Sequence, residues 1–214
     1  MKQAFKNIGL ICTVLIFLPF FSSLQFYQQQ SQKTITQNKT ASTKNEAELF
    51  NPSSWIARGG VWDFSKKIIT AQGMGQRPIA YFKHRSFTDF TFEIRLRLLT
   101  DENGSYGVAF RFDEKKDVGY IFGVWPHGGY EFAQLEEGFG YQTGGGQAVY
   151  LRDRLKTWNR LKVVGKGAKF DLYINDNLLV TIEDHSFKSG KVGFYLGHDA
   201  RSILEYEVLS LVAE

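Results

Sequence analysis

The chain has 214 residues, 43% of them hydrophobic and 15% aromatic, enough for one domain with a sizeable core plus appendages. Its formal charge of +4 comes from 26 basic and 22 acidic residues scattered without a block of one sign, which argues against a nucleic-acid-binding surface. The single cysteine, Cys12, lies in the apolar N-terminal run and excludes a disulfide or thiolate metal site in the rest of the chain.

Lys2 and Lys6 precede an apolar run over residues 8–21, the charged start and short hydrophobic middle of a secretory signal. Carried on through Leu24, Phe26 and Tyr27, the run approaches the roughly 20 residues of a membrane span, so residues 1–27 read as a signal peptide or a membrane anchor, with attachment through residues 8–27. Phe20 and Phe21 stand where a small-x-small cleavage site wants small residues, and Leu10 and Ile11 before Cys12 do not match a lipoprotein signal. Residues 28–48, rich in Gln, Thr, Ser, Lys and Asn, lack the apolar surface to offset ordering and read as a flexible polar linker. Asn38-Lys39-Thr40 and Asn103-Gly104-Ser105 match the glycosylation acceptor pattern, which arises often by chance.

The folded domain is expected over 49–214. Trp55, Trp62 and Phe64 flank a turn at Arg58-Gly59-Gly60, and short strands are predicted at 68–71 and 79–82. Phe90, Phe92, Ile94, Leu96 and Leu98 alternate with Thr91, Glu93, Arg95 and Arg97, the pattern of a half-buried strand. Strands follow at 108–112, 120–125 and 130–135, whereas the glycine-rich residues 139–148 read as a surface loop. Residues 158–193 carry the plainest period-two alternation, with turns at Gly165-Lys166-Gly167 and Asn175-Asp176-Asn177, and 203–212 closes the chain as a strand. About a dozen short strands without an amphipathic helix predict an all-β, two-sheet sandwich.

Tyr106-Gly107-Val108-Ala109-Phe110-Arg111-Phe112, Gly119-Tyr120-Ile121-Phe122, Trp158-Asn159-Arg160-Leu161-Lys162-Val163, Tyr173-Ile174-Asn175 and Ser189-Gly190-Lys191-Val192-Gly193 resemble the concanavalin A-like jelly-roll superfamily. Within it the nearest branch is the bacterial LamG-like and 3-keto-disaccharide hydrolase-like group. The resemblance implies a jelly-roll sandwich of two curved antiparallel sheets, attachment to secreted or membrane-anchored proteins, and glycans as the ligand class. The Glu-x-Asp-x-x-Glu string of the clan's retaining glucanases does not occur in this sequence.

A sugar site needs aromatic faces for C–H stacking and planar polar groups for hydroxyls. Trp125, His127, Tyr130, Gln134 and Tyr141 supply that mixture around Pro126-His127-Gly128-Gly129, and Trp62 and Trp158 are assigned to packing. Arg111, between Phe110 and Phe112, is expected to point away from the face they bury, where it would hold a hydroxyl or carboxylate or pair with Glu131 or Asp113. Glu131 and His127 are the weak catalytic candidates, since hydrolysis wants a second carboxylate on a facing element, and Glu136-Glu137 reads as solvated. His84, His127, His185 and His198 lack zinc-site spacing, so no metal residues are assigned. Calcium is the one cofactor with oxygen-rich loops to take it, at Asp101-Glu102-Asn103 or near Asp199, although turn chemistry explains the same residues.

The leading expectation is an extracytoplasmic, noncatalytic carbohydrate-binding or adhesion module whose partner is a glycan or cell-surface polysaccharide. A glycoside-processing hydrolase of the keto-sugar type is the alternative, and a structural protein-interaction domain the third.

Overall fold

The computed structural model describes residues 25–33, 47–74, 77–100, 104–136, 139–153, 155–197 and 202–213, without the side chains of 139–142. Most of the expected leader, residues 1–24, lies outside the described residues, as does the linker over 34–46. Residues 25–33 are an exposed helix, so the first part of the expected flexible linker is helical. Gln and Lys are good helix formers, and a polar composition that prevents core burial does not prevent local helix formation. Among the described residues no helix is long and apolar enough to cross a membrane.

Residues 46–214 form a unit of two seven-stranded antiparallel sheets. The first sheet runs β1 (Trp55–Arg58), β4 (Ile79–Phe82), β13 (Lys191–Leu196), β6 (Tyr106–Asp113), β7 (Val118–Val124), β8 (Gly129–Glu136) and β9 (Phe139–Gln147). The second runs β12 (Asn177–Glu183), β11 (Lys169–Ile174), β10 (Asn159–Lys166), β5 (Phe90–Leu98), β14 (Ile203–Ala213), β3 (Ile69–Gln72) and β2 (Val61–Asp63). The all-β, two-sheet expectation holds. The turn at Gly59 and Gly60 joins strands of different sheets rather than a hairpin, since β1 pairs with β4 and β2 with β3. Both glycines have φ near +64°, and a Cβ on Gly60 would lie 2.7 Å from the Gln72 carbonyl.

Alternation places the core. In β5 every second residue from Phe90 to Leu98 is buried and the residues between are partly wet. Phe90, Phe92, Phe110, Tyr120, Phe122, Phe132, Phe170 and Phe194 fill the space between the sheets, with ring centroids about 5–6.5 Å apart in tilted and stacked pairs. Trp62 joins this core by stacking on Phe64 and Tyr206 while its indole N–H donates to the Gly59 carbonyl. On the outer face of the second sheet, the guanidinium groups of Arg95 and Arg97, which pair with Glu207 and Glu205, each lie within 4.7 Å of the Trp158 ring centroid. Both tryptophans serve packing, as expected. The β11–β12 hairpin turns at Asn175 and Asp176, both at positive φ, and Asn175 Oδ1 accepts from the Arg160 amide.

Residues 139–148 depart from expectation. Instead of a loop, Phe139–Gln147 is the edge strand β9, paired along its length with β8. An edge strand needs a partner on one side only. The missing side chains are replaced from neighbouring strands, because the Tyr130 ring comes within 3.1 Å of where a Gly146 Cβ would stand and Phe132 and Ile182 approach Gly144.

Candidate functional site

The first sheet has two dressed faces. Tyr120, Phe122, Val124, Phe132 and Phe194 point into the sandwich, so Ile121, Gly123, Glu131, Ala133, Leu135 and Tyr195 lie on the opposite, outer face. There Ile79, Tyr81, Ala109, Phe112, Ile121, Ala133, Leu135 and Tyr195 form a second buried apolar cluster. At the β7–β8 hairpin end of this face stands Glu131, with Trp125 and His127 beside it over Gly129.

One register row crosses the sheet there. Ile79 pairs with Tyr195, Tyr195 with Gly107, Gly107 with Gly123, Gly123 with Glu131, and Glu131 with Gly145. Tyr195 and Glu131 thus stand three strand spacings apart, roughly 14 Å between backbones, with only glycine between them. The Glu131 carboxyl leans over this floor, its Oε1 lying 3.1 Å from where a Gly123 Cβ would be, and Ser105 Cβ is 3.3 Å from the same point. Ser105 stands beside the Glu131 carboxyl over Gly123, and its hydroxyl and the Arg77 charge each act to lower the pKa of both Glu131 and Tyr195. A hydroxyl at this position can donate to either oxygen, which favours the charged form of each.

The electrostatics follow from burial. Glu131 is 8% exposed, and burial holds its carboxyl above the ordinary carboxylate range against the opposing Ser105 hydrogen bond and Arg77 charge. Burial likewise pushes the Tyr195 phenol up to about 12, with the nearby Glu131 adding to the rise. Recessed acceptors of this kind suit sugar hydroxyls, and a carboxyl with a raised pKa also suits proton transfer.

Next along β8, Gly129 shares the face of Glu131. Trp125 Cδ1 and His127 Nε2 come within 3.4 and 3.6 Å of its Cβ position, and the two rings lie 5.6 Å apart. Hydrogen bonds from the Trp125 amide to the Gly129 carbonyl and from the Gly128 amide to the Trp125 carbonyl fix this turn. Gly128, at φ +94°, has nothing within 4 Å of its Cβ position, so its requirement is conformational.

The sequence-predicted set therefore splits. Trp125, His127 and Glu131 share the outer face. Tyr130 turns inward against the core and Gly146. Gln134 turns toward the second sheet, where its amide donates to Asp184 (2.7 Å) and Ser186 (3.1 Å), while the Tyr120 hydroxyl donates to the same Asp184. Tyr141 lies on β9 across from Gln134, its side chain outside the described residues.

Arg111 corrects the sequence reading. It is 2% exposed, and its guanidinium donates to the carbonyls of Thr88 and Phe187 (2.8 Å each) and of Gly167 while lying 4.6 Å over the Phe170 ring. A bulge between Phe110 and Asp113, with Arg111 at φ +47°, breaks the alternation, so Arg111 follows Phe110 inward and only Phe112 joins the outer cluster. Alternation cannot register an extra residue.

Ser105, Tyr195, Arg77 and Gly123 were missed. Ser105 fell in an acceptor triplet and is 2% exposed, while Tyr195 looked like one of many strand aromatics. The available signal was a second glycine within β7: besides Gly119 near its start, the strand carries Gly123, which pairs with Glu131. Among the described residues no three His, Cys, Asp or Glu side chains gather as a metal site, and Asp101, Glu102, Asn103 and Asp199, the calcium candidates, lie outside them.

The family described as 3-keto-alpha-glucoside-1,2-lyase-like domain matches residues 32–206. No curated protein matches the chain in sequence. Among solved structures, the chain is similar to the carbohydrate-binding module CBM66 from Bacillus subtilis, with a TM-score of 0.65 and 20% identity over 75% of this chain and 96% of that one. It is also similar to a Bacillus subtilis protein of galectin-like fold, with a TM-score of 0.58 and 13% identity over 78% and 95%. A third is the exoplasmic/lumenal domain of VIP36 in a Ca2+/Man3GlcNAc-bound form, with a TM-score of 0.55 and 8% identity over 76% and 86%. Identities this low speak for the fold, and the fold is the concanavalin A-like jelly roll that the sequence implied.

Proposed function

The chain belongs to the 3-keto-alpha-glucoside-1,2-lyase-like domain family, and on that premise we propose that it is an extracytoplasmic, noncatalytic carbohydrate-binding module using the outer face of its first sheet. The observation that carries this reading is the placement of Trp125 and His127 over Gly129, in line along β8 with the recessed Glu131 and its glycine floor. A sugar ring stacks on the aromatic pair, and its hydroxyls reach Glu131, Ser105 and Tyr195. The similarity to CBM66 supports a shared scaffold for such a face.

The test is a glycan array probed with the wild type and with Trp125→Ala. Wild-type binding to at least one glycan class, weakened by about tenfold in the variant, is expected. A wild type that binds no glycan refutes the reading.

One observation favours a second reading, glycoside processing in the same place. Glu131 combines burial and a raised pKa with the Ser105 hydroxyl beside it, as an acid–base group requires. Product release from a 3-keto-disaccharide, abolished by Glu131→Gln, would establish catalysis in place of binding alone.

A further inference from the structure

The outer face of the second sheet presents a cationic layer. We propose that Arg95, Arg97 and Arg160 form a second binding face, independent of the first-sheet site, for an acidic polysaccharide carrying one carboxylate per sugar ring. Sheet register makes the cluster. Arg160 on β10 stands directly opposite Arg95 on β5, one strand spacing away, and Arg97 follows two residues along β5 on the same face. Like charges directly opposite one another cost stability in a sheet, so local pairing does not account for this arrangement.

Each guanidinium has a carboxylate: Glu207 for Arg95, Glu205 for Arg97, and Glu93 with Asp176 for Arg160. Apart from Asp176 at the hairpin tip, these acids are recessed. The Glu207 and Glu93 side chains are 4% and 14% exposed, against 38% for Arg95 and 43% for Arg160, so the guanidinium groups form the outer layer. Their donors are not all used. Arg97 bonds Glu205 through Nε alone, and among the described residues its Nη1 and Nη2 have no acceptor, nor has Arg95 Nη1. Two Nη groups side by side match the two oxygens of a carboxylate. Trp158, within 4.7 Å of the Arg95 and Arg97 guanidinium groups, holds them in position before a ligand arrives. Exposed Asp176 and partly exposed Glu205 interrupt the positive layer. That interruption disfavours a polymer charged at every backbone phosphate and favours carboxylates spaced by sugar rings.

The probes are oligogalacturonate, its carboxyl-reduced counterpart, inorganic polyphosphate, and vesicles of phosphatidylcholine with phosphatidylglycerol. Each is titrated at pH 7 against the wild type, Arg97→Gln and Glu205→Gln. The wild type is expected to bind oligogalacturonate at least about tenfold more tightly than the reduced counterpart, with the ratio falling as salt rises. Arg97→Gln should weaken oligogalacturonate binding about fivefold, whereas Glu205→Gln, which releases Arg97 Nε, should tighten it. Thermal melting identifies a loss of fold, and either variant alone decides the matter if the other does not fold. Oligogalacturonate left unbound by the wild type, an affinity that moves in neither variant, or polyphosphate or vesicles bound as tightly would overturn this face. The first-sheet reading is decided separately, by the glycan array and Trp125→Ala.

Discussion

Arg111→Met separates a structural arginine from a ligand-binding one. The guanidinium joins three segments by donating to the carbonyls of Thr88, Gly167 and Phe187, and it covers the Phe170 ring. Its Nε has no acceptor among the described residues, so three bonds carry the clamp. Methionine keeps much of the aliphatic stem but leaves three carbonyls without this donor, at about 1.5 kcal/mol per charge-assisted bond, and loses a ring contact of about 1 kcal/mol. Burial also depresses the Arg111 pKa, so removing the charge returns part of that cost, and the net loss expected is about 3 kcal/mol. Against a domain stability of about 5–15 kcal/mol this is readily measured. Urea unfolding should show a lower midpoint with an unchanged slope, while the folded variant binds glycan with the wild-type Kd. Arg111→Lys should recover part of the stability, because an ammonium reaches fewer of the carbonyls than the planar fork does. A variant within about 1 kcal/mol of the wild type that has lost glycan binding would refute the clamp and restore Arg111 to the ligand face.

Three further outcomes follow from the packing and the buried acids. Glu131→Gln should stabilise the protein at pH 7: with its folded pKa raised, Glu131 favours folding fully only below its ordinary value near 4.5, and that contribution is lost as pH rises through the folded pKa. Melting at pH 7 and pH 4 checks this, and a variant destabilised equally at both counts against it. Asp184 has the opposite sign. Burial alone would raise its carboxyl, but bonds from Tyr120, the Ser186 amide and Gln134 outweigh burial and lower it, so its contribution is present above about 3.8 and lost as pH falls through the folded pKa. The acid-side loss of stability should therefore be shallower in Asp184→Asn, as measured by urea unfolding between about pH 5 and 2. Gly190→Ala should cost about 3 kcal/mol or more, because the added Cβ would fall 2.2 Å from the Arg111 backbone, and a near-neutral effect in the same assay would contradict that close approach.

Most of the fold was legible because half-buried strands announce themselves locally. The alternation from Phe90 to Leu98 and from Leu161 to Ile174 survives unchanged as buried and wet positions, and Asn175-Asp176 turns where left-handed angles are tolerated. The site was half legible: Trp125 and His127 sit beside a Pro-x-Gly-Gly turn, and Glu131 was visible as a lone acid. Its partners were not, because Tyr195, Gly107 and Gly123 join Glu131 only through pairing across β13, β6, β7 and β8, far apart in sequence.

What the sequence determined by itself was class, layers and turns, since periodicity and turn chemistry act between near neighbours. Tertiary structure alone decided three things. A bulge turned Arg111 inward, because one extra residue reverses which face follows. A single available partner strand and the Tyr130 ring made a strand of glycine-rich residues 139–147. Sheet register then brought Glu131, Ser105 and Tyr195 over one glycine floor, a juxtaposition that pairing across the sheet creates and no local pattern records.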